Sequence, residues 1–228
     1  MSEKLDFVVL VSTAAQYADD SFRTMGGVVP QEFLRTVQID ACFRKMPPRI
    51  GSMYFAGADV KTDDKRIIQL DVSDKKEALS YRIRKAIEVT VEKTDTPFIF
   101  ICHDDTFVHL ARLDTFIKEL DPDTMIAIGG VSDKWQDCLS VGAGILIPTA
   151  LAKDMLTDSS FGTGSDADED ISRCISRVGG KMFKDSTHFK FGKTVMPHQG
   201  NALITAHHMN IYDMWEAYAR NIDTIFPG

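Results

Sequence analysis

The chain has 228 residues, 44% of them hydrophobic and 26% charged, and carries a formal net charge of −7. That length suits one large domain or two small ones, and the composition is that of a folded globular protein. The acidic balance argues against nucleic acid as the main partner, and no apolar run approaches the roughly eighteen residues of a membrane span.

The first element is "DFVVLVS", residues 6–12, apolar on both faces and so predicted as a buried strand. "PQEFLRTVQIDACFRKM", residues 30–46, starts with Pro30, spaces Phe33, Leu34, Val37 and Cys42 at partly helical intervals, and is predicted as a helix that Pro47 and Pro48 stop. Strands follow at 50–57 and 65–72. The segment 74–93 is an amphipathic helix with Leu79, Ile83, Ala86 and Ile87 on one face, and Asp74 is its expected N-cap. "PFIFICHDD" is a fourth strand, followed by a helix over 109–120. Strands are expected over 123–131 and 139–148, and a helix over 149–156. "TDSSFGTGSDADED", residues 157–170, is a Gly-, Ser- and Asp-rich loop. A helix "EDISRCISRVG", short polar strands and a terminal helix from Ile211 complete the chain.

Strands alternating with helices and no linker between them predict one α/β domain, with a mixed, mostly parallel central sheet flanked by helices. Residues 1–130 and 131–228 are expected as the two halves of this domain. The four cysteines, Cys42, Cys102, Cys138 and Cys174, form no CxxC pair, so they are expected as free thiols rather than a zinc site. With no signal peptide or anchor visible, a cytoplasmic location without a transmembrane segment is expected.

Chemistry is concentrated where the fourth strand stops. "FIFICHDDTFVHL", residues 98–110, runs from an apolar strand straight into His103, Asp104 and Asp105. In an open α/β sheet, ligands sit beyond the carboxyl ends of the strands. Two adjacent carboxylates there are costly without a partner, and a divalent cation would offset the cost. Oxygen and imidazole donors together suit Mn²⁺, with Mg²⁺ next. In extended backbone His103 and Asp105 point one way and Asp104 the other. The pair can equally cap the helix that follows, since acids favour helix N-termini.

Further segments resemble one family in order. "FIFICHDDTFVHLARL", "LSVGAGILIPTAL", "DADEDISRC" and "LITAHHMNIYDMWEAY" resemble the acidic strand end, the Gly-Gly-Ala-Gly strand, the Glu-Asp helix start and the terminal Ser-Phe-His segment of fringe and core-1 β1,3-galactosyltransferases. "YFAGADVKTDDKRIIQLDV" resembles their second and third strands. The resemblance implies a GT-A-like fold and an inverting, Mn²⁺-dependent transfer of a sugar, most simply from a UDP-hexose, to a hydroxyl of a glycan or glycoprotein. It departs from the family at His103, which stands where the first acid is expected, and in the Glu-Asp to Cys spacing, which is two residues shorter.

The same resemblance assigns roles. Asp105 matches the metal-binding acid and Asp104 the acid near the ribose. His103 is a metal ligand or a satisfied polar residue. His207 matches a distant metal ligand, with a core histidine as the plain alternative, His198 as a weaker choice, and His208 expected on the opposite side. Asp170 matches the base that deprotonates the acceptor, Asp168 is its rival and Glu169 the third choice, unless all three simply form an acidic helix start. Gly142, Ala143 and Gly144 are expected beside the donor sugar, Trp135 as a stacking platform, Ser12 and Thr13 near the uridine, and Asp59 near the base or ribose. Arg23 and Lys85 are candidate phosphate neighbours. The competing readings are a nucleotidyltransferase and a non-catalytic nucleotide- or carbohydrate-binding module.

Overall fold

A computed structural model describes residues 3–13, 31–60, 65–192 and 202–221. Arg23 and His198 lie outside the described residues. The strands are β1 (Glu3–Lys4), β2 (Phe7–Ser12), β3 (Ile50–Gly57), β4 (Ile67–Leu70), β5 (Thr94–Asp95), β6 (Phe98–His103), β7 (Phe107–Val108), β8 (Ile126–Gly129), β9 (Ile145–Pro148), β10 (Lys181–Lys184), β11 (Phe189–Lys190) and β12 (Thr205–Ala206). The α-helices are α1 (Gln31–Gln38), α2 (Leu79–Lys93), α3 (Leu110–Lys118), α4 (Thr149–Thr157), α5 (Ala167–Arg177) and α6 (Ile211–Asn221). A π-helical turn, Ile39–Phe43, prolongs α1, so the helical run extends to within a few residues of Pro47.

A seven-stranded sheet in the order β10-β8-β9-β6-β2-β3-β4 forms the centre. Every pairing is parallel except those of β9, which runs antiparallel to both β6 and β8. The expected mixed, mostly parallel sheet flanked by helices is therefore what the chain adopts. Strand residues alternate between two cores, as the two-residue period requires. Phe7, Val9, Val11, Phe98 and Phe100 pack with Val37, Cys42, Leu110, Leu113, Met214 and Ala217 from the α1, α3 and α6 side. Val8, Leu10, Ile99 and Ile101 face Ile83, Ile87, Leu151, Ile171 and Ile175 from α2, α4 and α5. Burial on both faces is why β2 and β6 read as unbroken apolar runs.

The chain departs from expectation at several element ends. The expected 139–148 strand is interrupted, since Leu139 makes an isolated antiparallel bridge to Val131 and regular pairing resumes only at Ile145, after Gly144, at φ +101°, turns the backbone. Asp74 does not cap the 74–93 helix. The α-helix starts at Leu79 after a 3₁₀ turn, Lys76–Ala78, and Asp74 instead accepts from the Gly57 N–H at 3.1 Å and pairs with Arg82. Nor do Asp104 and Asp105 cap α3, since its N-cap is His109, whose side chain accepts from the Arg112 N–H. The two acids are thereby left for another use.

The four cysteines are free, with Cys42, Cys102 and Cys174 buried. No helix among the described residues is long and apolar enough to cross a membrane.

Candidate metal and nucleotide site

β2 and β6 are adjacent and parallel, so Ser12 and His103 finish side by side in register. The Asp104 N–H donates to the Ser12 carbonyl at 3.2 Å, which folds the chain over at the strand end. Asp104 then turns toward β2, where its Oδ2 accepts from the Thr13 hydroxyl at 2.5 Å. Arg35 of α1 donates to the same hydroxyl oxygen at 3.1 Å. All three side chains are buried.

Asp105 faces the other way, toward the chain end that returns through β12. Its carbonyl accepts from the Met209 N–H at 2.9 Å. His207 Nε2 stands 3.1 Å from Asp105 Oδ1, and His208 Nδ1 stands 3.5 Å from Oδ2. His103 approaches edge-on, its ring 5.5 Å from that of His207. One donor atom each from His103, Asp105 and His207 lies within 4.8 Å of the others.

His208 corrects the sequence expectation. Alternation would have sent it away from His207, but β12 ends at Ala206 and His208 takes φ +58°, a left-handed conformation. The two rings therefore stack at 3.9 Å on the same side of the chain, and Phe191 packs edge-on against both.

The residues fit a cation. His103 Nε2 and Asp105 Oδ1 are buried without a hydrogen-bond partner, although His207 Nε2 is close to the latter. Burial and the His207 imidazole push His103 down to about 4, so its ring is neutral at pH 7 and has a lone pair to offer. Burial alone would raise the Asp105 carboxyl, but the adjoining imidazoles, His207 foremost, outweigh it and hold the group ionised well below the usual carboxylate range.

Gly142 makes room for this centre. A Cβ there would fall 2.2 Å from His207 Cε1, so the glycine is needed by the imidazole. The Gly142 carbonyl accepts from the Thr106 hydroxyl at 2.7 Å, and the Ala143 carbonyl accepts from the Thr205 hydroxyl at 2.5 Å, tying the loop to both segments of the cluster. Gly144 instead abuts the Phe100 ring in the core.

The acids of α5 separate. Asp166 is the N-cap, accepting from the Glu169 N–H. Asp170 is buried against α2, accepting from the Gly162 N–H at 2.7 Å and from the Ser80 hydroxyl. Glu169 pairs with Arg173 at 2.7 Å. Asp168 accepts from the Val141 N–H at 2.9 Å, one residue from the glycine that houses His207. Burial raises its carboxyl above the ordinary value, against the lowering pull of Val141 and Ser132.

Other expected residues lie apart. Trp135 is half-buried with the Lys134 ammonium 4.9 Å from its ring centre. It lines a cleft of about 590 Å³ with Glu169, Arg173 and Arg177, whose lining includes none of the three clustered donors. Asp59 is exposed and accepts from Ser73 and the Asp74 N–H. Lys85 pairs with Glu88 on the surface at 2.6 Å.

Gln38, not singled out from the sequence, supports the site. Its amide donates to the carbonyls of His103 and Thr106 at 2.9 and 2.7 Å, while its Oε1 accepts from Tyr54 at 2.8 Å. The signal was present, since Gln38 is a polar residue one helical turn from Leu34 and Cys42 on an apolar face.

The architecture, a mostly parallel α/β sheet with acids at the carboxyl end of a central strand, is GT-A-like. No protein-family model and no curated protein matches the sequence. Among solved structures, a glycosyltransferase involved in glycosylation of the major capsid of PBCV-1 superposes with TM-score 0.56 and 11% identity, over 93% of this chain and 98% of that one. The inositol-1-phosphate CTP transferase of T. maritima gives 0.53 and 11%, over 98% of both chains. These likenesses establish the fold and leave membership of the fringe and core-1 family without support of their own.

Proposed function

We propose that the protein is a metal-dependent glycosyltransferase that moves a sugar from a nucleoside-diphosphate sugar, most simply a UDP-hexose, to an acceptor hydroxyl of a glycan or glycoprotein. The observation that carries this reading is the His103, Asp105 and His207 cluster at the carboxyl edge of a GT-A-like sheet. The glycosyltransferase neighbour supports it by fold. The sequence resemblance to fringe and core-1 enzymes adds the inverting course.

His103, Asp105 and His207 would hold a divalent ion, Mn²⁺ in the first instance. Bound there, the ion supplies Lewis-acid stabilisation of the departing diphosphate. Asp104, Thr13 and Arg35 form the neighbouring polar wall for the nucleoside. Asp168 is the preferred base. Its raised carboxyl is better matched to taking a hydroxyl proton than an ordinary aspartate, and it lies beside the ligand loop. Asp170, the family's matching position, holds loop and helix together through Gly162 and Ser80.

The test is thermal melting with UDP, GDP and CTP, each with and without Mn²⁺. Stabilisation by UDP that requires the ion is the expected result, and the absence of any metal-dependent shift with every nucleotide rejects the proposal. The CTP transferase neighbour favours a second reading, nucleotidyl transfer. Against it, "VSTAAQYADD" after β2 has no Gly-rich basic loop. Release of pyrophosphate from a nucleoside triphosphate and a sugar phosphate would select that reading. Release of UDP from a UDP-sugar selects the first.

A further inference from the structure

The donor set itself bears on which ions enter, an inference that rests on the metal reading above. Two of the three clustered groups are imidazoles and one is a carboxylate. Mg²⁺ and Ca²⁺ are hard ions that favour oxygen, and Mg²⁺ gives up its waters reluctantly. Imidazole nitrogen favours the later first-row ions, and a set of two histidines and one carboxylate leaves coordination positions open for oxygens of a ligand.

The centre is also held in place by the chain's own hydrogen bonds. Its donors come from two chain segments locked together by the Met209 N–H to the Asp105 carbonyl, by the His109 N–H to the Ile204 carbonyl at 2.8 Å and by the antiparallel pairing of β12 with β7. Gly142 leaves the space that the His207 ring fills. His208 flanks Asp105 Oδ2, the oxygen that does not face His207. Two donor atoms are buried without hydrogen bonds, so the cost of desolvating them is already borne by the fold.

We propose that this centre binds a divalent transition ion of the Mn²⁺ to Zn²⁺ series directly, without nucleotide and in preference to Mg²⁺ and Ca²⁺, and that His103 is the ligand that sets the preference.

Co²⁺ is the probe, because its visible absorption reports its ligands independently of activity. The full chain, free of nucleotide, is titrated with Co²⁺ and then challenged with Zn²⁺, Mg²⁺ or Ca²⁺. The expected result is a saturable visible band that Zn²⁺ abolishes, and that Mg²⁺ and Ca²⁺ leave in place even at about hundredfold excess. His103→Asp and His103→Gln weaken Co²⁺ binding by about tenfold or more, and only His103→Asp lets Mg²⁺ compete. Displacement by Mg²⁺ or Ca²⁺ at concentrations like that of Zn²⁺ overturns the proposal. So do His103 variants with unchanged Co²⁺ affinity. If both variants misfold, the competition series on the unaltered protein decides. A Co²⁺ band that appears only after UDP is added defeats this inference and leaves the transferase reading standing. No band with or without UDP removes both.

Discussion

Asp168 and Asp170 sit in the first turn of one helix, yet their surroundings differ. Asp168→Asn is expected to lower transfer by about 10² to 10⁴, the usual contribution of a positioned base, while metal-dependent stabilisation by UDP is kept. Asp170→Ala removes the buried acceptor of Gly162 and Ser80 and should cost about 1–3 kcal/mol of stability, read as a lower melting temperature. If the Asp170 variant melts normally and loses transfer, the roles are reversed. Gly142→Ala drives a methyl group into the His207 ring, so it should abolish the metal-dependent melting shift. At this scale the sequence made the site partly legible. Asp105 and His207 were visible as types in a familiar order. The side on which His208 lies was not, because alternation says nothing about a residue with positive φ.

The cap of α3 connects an element to pH. Burial, reinforced by the Arg112 guanidinium, pushes His109 down to about 4 from an ordinary 6.5. Between those values the unfolded chain binds the proton and the folded chain does not, so stability falls as pH drops from 6.5 toward 4, by up to about 1.4 kcal/mol per pH unit. His109→Asn keeps a capping side chain and removes the titration. Urea melts of the variant should show a shallower loss over that window, and an unchanged slope would contradict the assignment. The elements themselves were legible wherever apolar period and helix stops agreed, as in β2, α4 and α6. They were misread where a turn breaks an apolar run, as between the Leu139 bridge and Ile145, or where an acid such as Asp74 serves a neighbouring strand instead of its own helix.

Across the whole molecule, the two expected halves share one sheet. β9, from the second half, lies between β6 and β8 and pairs with both. A fragment of residues 1–130 would leave β6 without that partner and bare Ile99 and Ile101, which pack against α4 and α5 residues. Such a fragment should aggregate or stay unfolded by circular dichroism, and a soluble, cooperatively melting fragment would show the halves to be independent. The sequence revealed the α/β class through its alternating segments. It hid the antiparallel insertion of β9, because an apolar strand carries no mark of its direction.

The left-handed backbone of His208 sets stability against use. A side chain at φ +58° costs on the order of 1 kcal/mol that glycine would not pay. His208→Gly should therefore melt no lower than the parent chain while holding Asp105 less well. A library of variants sorted only for heat resistance would discard this histidine, and one sorted for metal-dependent turnover would retain it.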